Sequence, residues 1–143
     1  MLPKYHIIIN LIISLILLLF INPYFVLIIF LSSVLIDVDH YLYYVFEKKR
    51  ISLKSAYNWF LIKKKRFLKL SNEEKKKHKH CIFIFHGIEF LLLLLFLSYF
   101  SIFFLYIFIG FSLHLIEDAI EAKKHFFLRK KLCLTYNLYH IFK

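Results

Sequence analysis

Four separate segments of the chain carry side chains of the kinds that bind divalent metals. His6 opens the first apolar run, and Asp37-Val38-Asp39-His40 closes the second. His86 lies in the third apolar run, and His114 and Asp118 lie in the fourth. Neutral imidazole together with carboxylate suits Zn²⁺, with Mn²⁺ or Fe²⁺ as alternatives. The sequence therefore predicts a metal site built from several helices.

Helical spacing places these ligands in pairs. Asp37 and His40 are three residues apart, and His114 and Asp118 are four apart, so each pair shares one face of an α-helix. Each helix thus offers a nitrogen and an oxygen to one interior point, as in carboxylate-bridged metal bundles. Ionisable groups within apolar helices are costly, which makes such a cluster a functional site by default.

Two carboxylates are candidates for a catalytic base. Glu89 shares a helix face with His86, and Asp39 points nearly opposite Asp37, as a ligand, a cap or an orienting group. The seven predicted metal ligands are His6, Asp37, Asp39, His40, His86, His114 and Asp118. This set exceeds the needs of one tetrahedral ion, and it leaves room for two ions or for orienting groups.

The elements that position these residues are apolar helices. Of the 143 residues, 61% are hydrophobic, which is too apolar for a soluble domain of this size. The predicted fold is all-α, an integral membrane four-helix bundle forming a single domain over residues 1–143. Its transmembrane helices are predicted at about residues 6–21, 24–46, 80–97 and 102–121, near the length that a bilayer requires. No small-xxx-small motif is evident, so the helices are expected to pack through side chains.

The distribution of the basic residues along the chain predicts how the chain is oriented in the membrane. Of the 20 Lys and Arg residues, 13 fall between Lys48 and Lys79, and the short turns at Asn22-Pro23 and Ser98–Ser101 have none. The positive-inside rule therefore predicts a multi-pass protein of the cell membrane, with both termini and the loop at 47–79 cytoplasmic. All the metal-type ligands then lie towards one face. This distribution argues against specific nucleic-acid binding in spite of the net charge of +11.

The basic cytoplasmic loop is predicted to carry an amphipathic helix on the membrane surface. Its apolar residues recur at helical spacing, at Leu53, Ala56, Tyr57, Phe60, Phe67 and Leu68. A solvated basic loop is the alternative. The predicted partners are membrane lipids, with anionic headgroups attracted to the basic residues. A capping box is predicted ahead of the next helix, at Ser71-Asn72-Glu73-Glu74.

The order and placement of these motifs resemble a known family. His6, the Asp37-Val38-Asp39-His40 block and Gly110-x-x-x-His114-x-x-x-Asp118 are similar to blocks of the membrane-bound metal-dependent hydrolases, the LexA-regulated inner-membrane hydrolases. That family is remotely similar to zinc-dependent phospholipase C and P1-type nucleases, which use clustered zinc ions on phosphodiesters. The resemblance implies metal-dependent hydrolysis, with one or two divalent ions, on a phosphoester or lipid-like substrate at the cytoplasmic interface.

Two other classes of function remain open at this stage. A haem protein would use His86 and His114 as axial ligands, but it would leave Asp37 and Asp118 without a purpose. A non-catalytic metal-binding protein or transporter would use the same ligands. A transporter should have polar residues continuing to the outer face, where the helices are almost purely apolar.

Overall fold

The computed structural model describes residues 3–71, 73–74 and 83–124, in which helices are joined by turns and short links and no strand occurs. The helices are α1 (Pro3–Leu17), α2 (Pro23–Leu35), α3 (Val38–Lys48), α4 (Leu53–Lys69), α5 (Ile88–Ser98) and α6 (Ile102–Lys124). The predicted all-α class is confirmed for this part of the chain. The predictions for residues 75–82 and for the chain termini lie outside the described residues.

Short turns separate the apolar helices where the sequence predicts them. Pro23 opens α2, where its missing N–H has no partner to lose, and the Asn22 side chain accepts a hydrogen bond from the Tyr24 N–H at 2.9 Å. A second short turn separates α5 from α6, and the Ser101 hydroxyl accepts a hydrogen bond from the Phe103 N–H at 3.3 Å. Consecutive apolar helices therefore run in alternating directions.

Two stretches are long and apolar enough to cross a membrane. They are Pro23–Lys48, which joins α2 and α3 through the turn at Ile36 and Asp37, and Ile102–Glu121. The apolar helices Pro3–Leu17 and Ile88–Ser98 are shorter than a span. Within each long stretch, only 33% of the most apolar 18-residue segment is buried inside the protein. Their surfaces are therefore largely exposed, unlike the core helix of a soluble protein.

The third apolar helix begins later than predicted. Residues 83–87 form a turn, and helical structure starts at Ile88, after Gly87 in an extended conformation. The Asp39 carboxylate explains this difference, because its Oδ2 accepts hydrogen bonds from the Phe85 backbone N–H at 3.0 Å and from His86 Nδ1 at 3.1 Å. Asp39 precedes Phe85 by 46 residues, and these hydrogen bonds keep residues 83–87 from joining the helix.

Helices α2 and α6 approach each other at the backbone, contrary to the expected side-chain packing. A Cβ atom added to Gly110 of α6 would collide with the Ser32 hydroxyl and the Ile29 carbonyl of α2. Glycine is required there because any side chain would separate the helices. Small residues that permit such contact are typical of helix pairs in membranes.

Apolar side chains fill the space between α2, α5 and α6. The buried cluster comprises Ile36, Leu94, Phe111 and Leu115, and Phe85 and Phe90 pack against it. This cluster joins the end of α2 to the turn at 83–87. It therefore fixes the positions of the elements that carry the metal-type ligands.

The basic loop does contain the predicted helix, as α4. Its N-cap is Ser52, whose hydroxyl accepts a hydrogen bond from the Ser55 N–H at 3.3 Å. After α4, the Ser71 N–H donates to the Glu74 carboxylate at 2.8 Å, and the Glu74 N–H donates to the Ser71 hydroxyl at 3.3 Å. These reciprocal hydrogen bonds confirm the predicted capping box.

Candidate metal centre

All seven predicted metal ligands lie at one end of the apolar helices. Convergent ligand atoms form three overlapping groups, with the atoms of each group within 4.8 Å of one another. The groups are His6, His114 and Asp118; Asp37, His86 and His114; and Asp39, His40 and His86. Because adjacent groups share an imidazole, they form one continuous cluster, which we call the His/Asp centre.

Three imidazoles of the centre have their Nδ1 atoms fixed by acceptors. His114 Nδ1 lies 2.8 Å from the Ser33 carbonyl oxygen. A carbonyl oxygen only accepts, so Nδ1 carries the proton and Nε2 keeps its lone pair. His6 Nδ1 contacts the Glu117 carboxylate, and His86 Nδ1 contacts Asp39 Oδ2. Metal-binding histidines are usually held in this way, which sets the tautomer and the ring orientation.

The Nε2 atoms of these same imidazoles have no hydrogen-bond partner although they are buried. They belong to His6, His86 and His114, whose residues are 1%, 4% and 0% exposed. Leaving a buried polar atom unpaired costs about 1–3 kcal/mol. Three such atoms in the two overlapping groups that share His114 indicate a site for one or more ligands that accept lone pairs. A metal cation is such a ligand.

Two carboxylates face the unpaired nitrogens at distances suited to a shared ion. Asp37 Oδ1 lies 3.7 Å from His86 Nε2 and 3.6 Å from His114 Nε2. Asp118 Oδ1 lies 3.5 Å from His6 Nε2, and Asp118 Oδ2 lies 3.9 Å from His86 Nε2. These separations are too long for good hydrogen bonds. Bonds of about 2.0–2.2 Å to one tetrahedral ion would place its ligands about 3.3–3.6 Å apart.

Buried negative charge also favours a cation. Asp39, Glu117 and Asp118 are buried, and Asp37 lies beside them. Buried carboxylates are stable only when they are paired, protonated or bound to a metal. Protons on the imidazoles would balance some of this charge, whereas a divalent ion would meet the nitrogens and the carboxylates together.

His6 and His40, both predicted as metal ligands, lie at different depths in the centre. His6 lies inside the centre, where its ring stacks on that of His114 at a centroid distance of 3.9 Å. His40 Nδ1 instead points at Asp39 Oδ1, at 3.1 Å, and at Asp37 Oδ1, at 3.5 Å. His40 is thus placed to orient carboxylates at the edge of the centre.

Of the two predicted catalytic bases, Asp39 lies within the His/Asp centre and Glu89 lies outside its convergent groups. The Asp39 carboxylate contacts the Phe85 N–H, His86 Nδ1 and His40 Nδ1, so its oxygens are committed to positioning the turn and the imidazoles. Glu89 is half-buried in the first turn of α5 and belongs to none of the convergent groups among the described residues.

Sequence reasoning missed the contribution of Glu117. Glu117 is buried, and its carboxylate contacts His6. Its signal is present in the sequence, because it follows His114 by three residues and therefore lies on the face of the helix that carries His114. Ser33 was also missed, since its backbone carbonyl, and not its side chain, holds His114.

The centre opens on the side of Asp37 and His40. Their side chains are 18% and 26% exposed, whereas those of the three unpaired imidazoles and Asp118 are 5% or less. Aromatic rings line this opening, since Phe83 stacks on His40 at 3.9 Å and Phe60 meets it edge-on at 5.4 Å. A ligand would therefore reach the centre past aromatic side chains.

The fold and the centre define a helical protein with buried His/Asp groups that could hold a metal ion, and with two stretches long and apolar enough to cross a membrane. Comparisons with protein-family models, with curated proteins and with solved structures find no match to this chain. The likeness to the membrane-bound metal-dependent hydrolases therefore remains a hypothesis based on the motifs.

Proposed function

We propose that this chain is an integral membrane hydrolase that uses one or two divalent ions, with zinc the best match to its ligands. The observation that carries the proposal is the convergence of three unpaired Nε2 atoms on two carboxylates in a buried centre. The side chains that would bind the ions directly are those of His6, Asp37, His86, His114 and Asp118. Glu117, Asp39, His40 and the Ser33 carbonyl would hold those ligands in place.

The exposed surface supports a membrane location. Large apolar side chains face outwards along α1, α2, α5 and α6, including Ile12 at 55%, Leu27 at 53%, Leu92 at 61% and Ile102 at 55% exposure. Exposed apolar surface of this extent is unusual for a soluble monomer. With the charge distribution, it favours a multi-pass protein of the cell membrane with its basic segments in the cytoplasm.

The depth of the centre suits a substrate that reaches into the inner leaflet of the membrane. His114 and Asp118 lie 12 and 16 residues after the start of α6, which is about 18 and 24 Å along a helix. The hydrocarbon core is about 30 Å thick, so an outer turn at one boundary would place the centre in the inner leaflet. This depth favours a lipid-like phosphoester as the substrate.

A bound divalent ion would act as a Lewis acid on a phosphoryl oxygen and would lower the pKa of water at the site. The residues of the chain position the ion and exclude bulk water from one side. Asp37 and His40 border the open side, where a substrate phosphate would enter. Haem is less suitable, because Asp37 and Asp118 oxygens lie 3.5–3.9 Å from the histidine Nε2 atoms, where a porphyrin would need space.

The topology is tested with Ser98→Cys in a variant whose two native cysteines are replaced by serine. We expect an impermeant thiol reagent to label this position from outside intact cells, because Ser98 ends α5 at the turn opposite the centre. A cysteine at exposed Lys65 of α4 should be labelled only after the membrane is opened. The reverse pattern would invert the topology and place the centre on the outer side.

Catalysis is tested with Asp118→Asn, which preserves the shape of the side chain and removes its negative charge. We expect this change to abolish both metal content and hydrolysis of phospholipid or lipid phosphate substrates in detergent micelles. Glu47→Gln is the matched control, because Glu47 is an exposed carboxylate whose side chain is 49% accessible. A wild-type protein that binds metal but hydrolyses none of these substrates would identify a non-catalytic metal-binding protein.

A further inference from the structure

Helix α4 lies across the open side of the His/Asp centre. Ala56, Phe60 and Lys64 follow one another at intervals of four residues and so share one helix face. Ala56 is 4% exposed, the Phe60 ring meets that of His40, and Lys64 Nζ lies 2.7 Å from Glu121 Oε1. This face of α4 therefore bridges α3 and α6.

The bridge passes over the centre because of where its two ends lie. Glu121 follows Asp118 by three residues on α6, so the two carboxylates share a helix face. His40 borders Asp37 at the other end, with Nδ1 3.5 Å from Asp37 Oδ1. The segment of α4 from Phe60 to Lys64 consequently covers the route to the ligands.

The contacts of α4 at its two ends differ in kind. Towards α3 it packs with aromatic rings, as Trp59 lies 5.8 Å from Tyr44 and 6.2 Å from Tyr43 between ring centroids. Towards α6 it forms the Lys64–Glu121 ion pair, whose side chains are 32% and 21% accessible. An accessible ion pair is open to competition from other charged groups, whereas the aromatic contacts are not.

The remaining surface of α4 matches an anionic lipid leaflet. The helix contains six basic residues and no Asp or Glu, the basic residues being Lys54, Lys63, Lys64, Lys65, Arg66 and Lys69. Beside them, Leu53, Tyr57 and Leu68 are 70%, 41% and 38% exposed. Apolar side chains next to clustered basic residues are typical of helices that lie on a membrane surface.

We propose that α4 is a lid over the His/Asp centre and that anionic lipid headgroups open it by competing with Glu121 for the Lys64 ammonium group. This inference rests on the proposed membrane location, and it adds regulation of the same centre. The lid turns about the link at residues 49–52, where Lys49 has the left-handed φ of 51° that ends α3. The packing of Trp59 against α3 keeps the lid attached while its far end moves.

The lid is tested by measuring the distance between spin labels on α4 and α6. Labels are placed at Leu68→Cys, near the far end of α4, and at Ile120→Cys, both at exposed positions, in a variant with Cys81→Ser and Cys133→Ser. The protein is placed in nanodiscs of phosphatidylcholine alone or mixed with phosphatidylglycerol. We expect one short distance in phosphatidylcholine, and a second population longer by about 10 Å, one helix diameter, when phosphatidylglycerol is present.

Two variants separate the ion pair from general charge attraction. Lys64→Gln should show the longer population in both lipids, because its ion pair with Glu121 is absent. Lys65→Gln loses the same charge at an exposed neighbouring position and should respond as the wild type does. An unchanged distance in all lipids and variants would overturn the lid. The measurement requires neither metal nor turnover, so a protein without hydrolase activity would still report on the lid.

Discussion

Replacing His114 with alanine is expected to abolish metal binding. His114 is fully buried, its Nδ1 is fixed by the Ser33 carbonyl, and its Nε2 belongs to two of the three ligand groups. The other histidines in the described part of the chain, His6, His40 and His86, already occupy positions of their own in the centre. Elemental analysis of the purified protein, and titration with Zn²⁺ after removal of bound metal, would measure the effect.

His40→Ala is the control for this experiment. Its Nδ1 contacts Asp39 and Asp37, so its loss should weaken metal binding by about 10–100-fold without abolishing it, as expected for a residue that orients ligands. His6→Ala should resemble His114→Ala, because its Nε2 faces Asp118. If His40→Ala abolished binding and His6→Ala had no effect, the assignment of ligands would have to be reversed.

Gly110→Ala is expected to destabilise the protein and to disturb the metal centre from a distance. The new Cβ would collide with the Ser32 hydroxyl, which could rotate, and with the Ile29 carbonyl, which could not. Helix α6 must therefore move away from α2, and the His114–Ser33 hydrogen bond, one turn further along, must lengthen. Overpacking of this kind costs about 1–3 kcal/mol.

This effect can be measured as the free energy of unfolding in detergent, together with the metal content. Ile116→Ala is the control on the same helix, since Ile116 is 56% exposed and packs little within the protein. Its stability should change far less, and its metal content should remain that of the wild type. A Gly110→Ala protein of unchanged stability would show that the helices can separate without cost.

The sequence predicted the helical class, the short turns and seven of the residues that meet in the centre, but not Glu117. These predictions rest on apolar runs, on proline and asparagine at a helix start, and on spacings of three and four residues. Helices that alternate in direction bring His6, Asp37, His86 and His114 to the same end of the bundle, whatever the rotation of each helix about its own axis. Topology alone was sufficient for this result.

The rotation of each helix could not be read from the sequence. Nothing in the residue types distinguishes His6, whose Nε2 faces Asp118, from His40, which lies beside Asp39 at the opening. The close approach at Gly110 depends on Ser32 and Ile29 of another helix. Likewise, the late start of α5 depends on hydrogen bonds to Asp39, 46 residues earlier. Each of these features is a contact between distant parts of the chain.

The ligands of the centre come from four segments, spread from His6 to Asp118 and joined by long stretches of chain. An ion that binds this arrangement has no comparable site when the helices are apart, so its binding energy adds to the stability of the assembled bundle. By mass action, free ion at 100 times its dissociation constant would contribute about 2.7 kcal/mol. The ion would thus act as a reversible crosslink, and the mechanical strength of the bundle would follow the metal supply of the cell.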